Sequence, residues 1–341
     1  MYRKTVYCEY AFWQTFIKAC PSVLDPSERN MQYTRQWINL YCFLAKSNII
    51  FDLSVEEFQL QVPSDSFLLS LWQKSTEGAC GLKCKKNKFP YIQNLTKEHI
   101  TNNQLNAVYL TNQTTEICNS QSQRFGIIIL NLQLLNKAQH IFQDSGTAFP
   151  SPLAKDWNFM RGLLKDEPKI NISNTLIITD NYLLFDNQRI KYNLLPILKI
   201  LLPYELAQDL PYQICIFTED KRNILKHSVS PLVKMIKQIR PHLDFQLMIY
   251  HAADVFHDRA IITNNIWISC GHGFDIFTAN GPIDKATTIN IVYPFFQTSI
   301  QWADQAYINL LHDAQAVDKQ ADLNVNYWGI RKHGNRLFNN T

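Results

Sequence analysis

Residues 256–277 read Phe256-His257-Asp258-Arg259-Ala260-Ile261-Ile262-Thr263-Asn264-Asn265-Ile266-Trp267-Ile268-Ser269-Cys270-Gly271-His272-Gly273-Phe274-Asp275-Ile276-Phe277. Two short apolar runs flank Thr263-Asn264-Asn265, a pattern that predicts a β-hairpin between Ala260 and Ile268. Asparagine in such a turn takes positive φ at low cost. His257 and Arg259 are two residues apart, so on a strand they point to the same face. An imidazole beside a guanidinium suits a phosphate. Arginine offers a planar fork to two phosphate oxygens, and histidine titrates near neutrality and can act as nucleophile or acid.

The chain before this hairpin alternates strands with helices. Thr175-Leu176-Ile177-Ile178-Thr179-Asp180 predicts a buried strand, Asn193 to Leu202 a helix, and Gln213 to Phe217 a second strand. Pro231 to Ile239 reads as a helix with proline in its first turn, where the missing N–H costs little. Phe245 to Tyr250 is the next strand, Thr288 to Tyr293 a later one, and Ser299 to Ala316 a helix.

The first half shows the same alternation. Strands are expected at residues 4–10, 48–53, 106–110 and 127–130, with Ser54 and Glu57 forming a capping box and Gly126 ending a helix over 114–124. A helix through Lys46 could be capped by Asn30, and residues 75–104 read as loop. The expected fold class is therefore α/β, with two α/β domains: an N-terminal mostly parallel sheet and a C-terminal mixed sheet whose hairpin carries the motif. The boundaries read as 1–135 for the first domain, 136–174 for a linker with short helices, 175–325 for the second domain and 326–341 for a basic aromatic tail.

Composition sets limits on partners. The 341 residues are 46% hydrophobic and 18% charged, ample for two cores, and the net charge of +4 permits an anionic partner without announcing one. No signal peptide and no eighteen-residue apolar span is apparent, and the eight scattered cysteines fit a reducing cytoplasm. Cys80 and Cys84 are a lone C-x3-C, half of what a closed zinc site needs. Three histidines near two acids would allow a metal, but the spacing is not that of a zinc motif, and no cofactor is expected.

The hairpin residues resemble the HxKx4D motif of the phospholipase D superfamily, with His257, then Arg259 in the lysine place and Asn264 in the aspartate place. A closer likeness is the variant that reads HDR, a hairpin, then Gly-x-Gly-x-Asp, as in bacterial proteins and in the C-terminal domain of MIT-domain proteins. The strand running into Asp180-x-Tyr182-Leu183 is similar to the first strand of such domains. The resemblance implies a catalytic group of His257, Arg259, Asn264 and His272, with Asp180, Gly271, Gly273 and Asp275 around it. His251 would lie nearby, and Arg331 and Lys332 in the tail could touch phosphates. It also implies a phosphohistidine mechanism and a homodimer, because the family uses two motifs per site and a second is absent from this sequence. Asn264 in place of an acid leaves binding without turnover open.

In the first half, Glu9, Asp52 and Asn112 fall at or just after strand ends. This resembles a PIN-type nuclease domain, in which acids at those places hold metal ions. The plainer reading makes Asp52 a cap and Glu56 and Glu57 helix-start charges.

The expected function is recognition of phosphodiesters. The enzyme reading is a nuclease or phosphodiesterase acting on DNA or RNA, of the kind found in bacterial antiviral defence. The alternatives are a non-catalytic module for nucleic acid or a phospholipid headgroup, and a protein-interaction subunit of a larger complex.

Overall fold

The computed structural model describes residues 4–19, 37–96, 100–137, 146–148, 154, 156–163, 172–220, 225–252, 255–282, 287–292, 301–322, 326–330 and 334–340. Asn30, Arg331 and Lys332 lie outside them.

Five short strands build the first sheet: β1 (Thr5–Cys8), β2 (Asn48–Phe51), β3 (Gly81–Cys84), β4 (Ala107–Leu110) and β5 (Ile128–Leu130). Their order is β3-β2-β1-β4-β5 and every pairing is parallel. Such a sheet needs helices on its faces. They are supplied by Tyr10–Lys18, residues 37–44, Val55–Gln61, Ser66–Thr76 and Thr115–Phe125.

The local chemistry that starts and stops these helices is explicit. Ser54 accepts the Glu57 N–H at 3.2 Å while the Glu57 carboxylate accepts the Ser54 N–H at 2.8 Å, a complete capping box. Asp65 caps the helix that follows, accepting from the N–H groups of Phe67 and Leu68, and its second oxygen takes the Trp13 indole N–H at 2.7 Å. Gly126 ends the Thr115–Phe125 helix at φ 62°.

Among the described residues the second sheet has eight strands. Three parallel ones form its centre: β7 (Thr175–Thr179), β8 (Tyr212–Thr218) and β9 (Phe245–His251). β10 (Arg259–Thr263) runs antiparallel to β7 and folds back on β11 (Trp267–Cys270), then come β14 (Ile289–Val292) and the outer strand β6 (Gly146–Ala148). β15 (Tyr327–Gly329) closes the other edge against β9. A two-stranded ribbon, β12 (Phe277–Thr278) with β13 (Gly281–Pro282), stands apart.

Alternation along the strands divides the core. Leu176, Ile178, Ile214, Ile216 and Ile249 face the helices Leu195–Leu201 and Leu225–Ile239, in a cluster continuous with the core of the first sheet. Ile177, Cys215, Phe217, Met248 and Tyr250 face the other way, onto Tyr307, Leu310, Leu311 and Ala314 of helix Gln301–Gln320. The sheet is thus the middle of three layers. The two α/β units and the hairpin at 259–270 match the expected fold class.

Four expectations need correction. β3 lies within the stretch 75–104 read as loop, and β6 within the stretch 136–174 read as linker. Within the stretch 326–341 read as a tail, Tyr327 and Trp328 are buried in β15, and Leu337 and Phe338 are buried beyond it. Pro231 does not open its helix, which begins at Leu225.

A buried polar seam joins the two units. The Lys4 ammonium donates to the Asn106 side chain at 2.7 Å and to the Asn264 carbonyl at 2.6 Å. Burial pulls its pKa from the usual 10.5 to about 7. The Asn174 side-chain amide donates to the carbonyls of Leu105, Phe125 and Gly126, and the Asn264 amide reaches Gly126 from the other side. The backbone of Gly126 approaches Ser173 so closely that a Cβ there would stand 2.3 Å from the Ser173 carbonyl oxygen.

Candidate functional site

The parallel strands β7, β8 and β9 deliver their carboxyl ends to one sheet edge. The register aligns Thr179 with Phe217 and Thr218 with His251, while antiparallel β10 brings Ala260 beside Thr179. His257 and Asp258 therefore enter the sheet where β7 leaves it. The chain order reverses here, because β8 lies on one side of β7 and β10 on the other. Such a switch point leaves a crevice beyond the strand ends, the usual place for a ligand in an open α/β sheet.

His257 is exposed and Arg259 half-buried. The Arg259 guanidinium donates to the Gly271 carbonyl at 3.3 Å and sits 5.6 Å from the centroid of the Tyr182 ring. Among the described residues no carboxylate forms an ion pair with it. A second guanidinium, that of Arg189, lies 5.8 Å from the same ring and 4.8 Å from that of Phe185. Arg189 meets the buried carboxylate of Asp275 at 3.6 Å and that of Asp186 at 3.8 Å. Sequence reasoning missed Arg189 because it stands on the helix side, about 70 residues before the motif. Its only sequence signal was the Asp186-x-x-Arg189 spacing of a helix start.

Asp180 is nearly inaccessible, and its work is structural. One oxygen accepts the N–H of Tyr182 at 2.7 Å and of Leu183 at 3.1 Å, and the other accepts that of Phe274 at 2.8 Å. Burial raises its pKa, and these backbone donors oppose the rise. It thereby pins the turn after β7 to the turn after β11. Gly273, at φ 93°, is the close-approach point: a Cβ there would stand 3.1 Å from Asp180 Oδ2 and 3.3 Å from Asp275 Oδ1. Gly271 and His272 are exposed in the same turn. His251 ends β9, and its Nδ1 accepts the Asp220 N–H at 2.9 Å.

Asn264 does not belong to this edge. Thr263 pairs with Leu176, at the start of β7, so Asn264 lies five residues from Arg259, roughly 16 Å along an extended strand. Its side chain is buried in the seam, bonded to the Gly126 carbonyl at 2.8 Å and to the Asn174 N–H at 3.1 Å. Two-residue alternation and a hairpin place the motif's two ends at opposite ends of one strand.

No protein-family model matches the chain, and no curated protein matches it. The chemistry of this edge therefore stands on its own geometry.

The first sheet has a polar edge at its own switch point, between β1 and β4. The Glu9 carboxylate accepts the Asn112 N–H at 3.2 Å, and burial, with Asp52 adding to it, holds its pKa above the usual range. Asp52 accepts the Tyr10 N–H at 2.6 Å, at the first turn of the Tyr10–Lys18 helix, and the Tyr91 hydroxyl at 3.0 Å. The Asn112 amide donates to Thr15 at 3.2 Å. Asp52 thus acts as a cap in space, and Glu57 belongs to its capping box and to an ion pair with Lys86. Cys80 is buried with its thiol toward the Leu71 carbonyl, and Cys84 ends β3. Among the described residues no three His, Cys, Asp or Glu side chains are gathered as a metal cage. None of the described helices is long and apolar enough to cross a membrane.

Proposed function

We propose that the edge formed by His257, Arg259 and the 271–275 turn recognises a phosphodiester, with nucleic acid as the partner. One observation carries the reading: an exposed imidazole and a guanidinium that meets no carboxylate among the described residues share the switch-point edge of a mixed sheet. The reading also draws on the resemblance of the hairpin residues to the phospholipase D-like motif, from which Asn264 is set apart in the seam. Arg259 would hold the phosphate oxygens, and the exposed His272 would extend the contact. Aromatic Tyr182 beside two guanidiniums suits an unpaired strand better than a duplex.

In the nuclease reading, the His257 imidazole attacks phosphorus and the leaving oxygen takes a proton from the imidazole of a second copy. Arg259 offsets the phosphoryl charge. With Asn264 in the seam, no described acid on this chain orients His257, which favours binding over turnover. Cleavage of DNA and RNA in EDTA by wild type and His257→Ala separates the two readings. Cleavage lost in the variant marks an enzyme; binding lost in Arg259→Ala with no cleavage by either protein marks a binding module. Equal binding by wild type and Arg259→Ala, with no salt dependence, rejects both.

A further inference from the structure

At the opposite edge of the second sheet, where the two units meet, lies a cleft of about 610 Å³. It falls within the roughly 300–1,000 Å³ of small-molecule sites. One wall is a face of the Thr115–Phe125 helix, carrying Ser120, Gln123 and Arg124 at helical spacing. The other is the segment before β8, carrying Tyr204 and Glu205, and buried Ile172 contributes an apolar surface. The Ala207 N–H donates to the Arg124 carbonyl at 2.7 Å, so the two walls are fastened to each other.

The lining has a definite chemical character. Tyr204 is 62% exposed, an unusual state for a large ring, and rests against the His242 ring at 5.2 Å between centroids. Its exposed ring offers a stacking surface beside that of His242. Arg124 brings a forked donor, Glu205 a forked acceptor, and Gln123 and Ser120 groups that do both. One guanidinium and one carboxylate leave the cleft without net charge from these two. This argues against a bare anion. It suits a flat heterocycle whose two edges differ, one accepting and one donating.

We infer that this cleft binds a guanine nucleoside. Guanine presents O6 and N7 acceptors, which a guanidinium fork matches, and on another edge N–H donors that a carboxylate matches. Adenine carries an amino donor in place of O6 and leaves the arginine fork half used. The ring would stack on Tyr204 while Arg124 and Glu205 read its edges. The ligand would touch both units at once and strengthen the seam. The inference is independent of the phosphodiester reading, since the cleft and His257 occupy opposite sheet edges.

The test is calorimetric titration of the full chain with guanosine and, separately, with adenosine, alongside thermal melting. Binding of guanosine that adenosine does not reproduce, weakened about tenfold or more in Glu205→Gln and in Tyr204→Ala, supports the assignment. A raised melting temperature with guanosine supports it further. Both positions are exposed, so the variants should melt like wild type without ligand. His257→Ala should bind guanosine as wild type does. No heat with guanosine, equal affinity for adenosine, or undiminished binding in both cleft variants overturns it.

Discussion

Lys4 gives the sharpest test of the seam. It is 4% exposed, and burial carries its pKa from 10.5 down to about 7. The sign follows from counting protons. Below pH 7 both folded and unfolded chains hold the proton, so the folded state bears the whole cost of a buried charge. Between about pH 7 and 10.5 the folded chain has released it while the unfolded chain keeps it, so this residue's contribution to stability rises with pH. At roughly 1.4 kcal/mol per pH unit, the whole interval is worth about 5 kcal/mol. Lys4→Met removes the titration. It also removes the hydrogen bonds to Asn106 and Asn264, a pH-independent cost of about 1–3 kcal/mol each. Urea unfolding of both proteins at pH 6, 7.5 and 9 would be compared as the difference, wild type minus variant, so that other titrating groups cancel. That difference should be nearly flat below pH 7 and should grow by roughly 2–3 kcal/mol by pH 9. Parallel stability curves for the two proteins would refute the reasoning, because a lysine with an ordinary pKa gives no difference in slope.

Other outcomes follow from single contacts. Gly126→Ala forces a side chain into a left-handed position against the Ser173 carbonyl and should cost more than about 2 kcal/mol in urea unfolding. Asp65→Ala removes a helix cap and the Trp13 partner; a loss of about 1–3 kcal/mol is expected, with the Trp13 fluorescence shifted. Arg259→Ala should lower affinity for single-stranded nucleic acid and make its salt dependence shallower by about one phosphate contact, measured by filter binding at two salt concentrations. Asp180→Ala releases three backbone N–H groups and should destabilise the second unit by about 2–4 kcal/mol while also weakening that binding, because the 271–275 turn loses its anchor.

Local signals in the sequence were readable where local chemistry decides the outcome. Ser54 with Glu57, Gly126 after its helix, and the apolar runs around Thr263-Asn264-Asn265 each specify a feature within a few residues, and each appears. Edge strands were harder. β3 carries Gly81 and Lys83, and none of its four residues is fully buried, so no apolar run marks it. β15 owes its place to pairing with β9, about 80 residues earlier, which no local pattern encodes. The site was legible only in part for the same reason. His257 and Arg259 are neighbours on one strand, whereas Arg189 reaches the edge from a distant helix and Asn264 is carried away by the length of β10. A spacing along the chain gives the face of a strand, but which end of the strand meets the ligand depends on the partner strands.

The contact between Lys4 and Asn264 also bears on how the molecule is made. The two are separated by 260 positions, and translation proceeds at about 5–20 residues per second, so Lys4 leaves the ribosome on the order of ten seconds or more before its partner. Through that interval the Asn264 carbonyl does not yet exist, so this contact cannot help the first unit to fold. The Lys4 end of the joint between the two units can therefore close only after the hairpin is made.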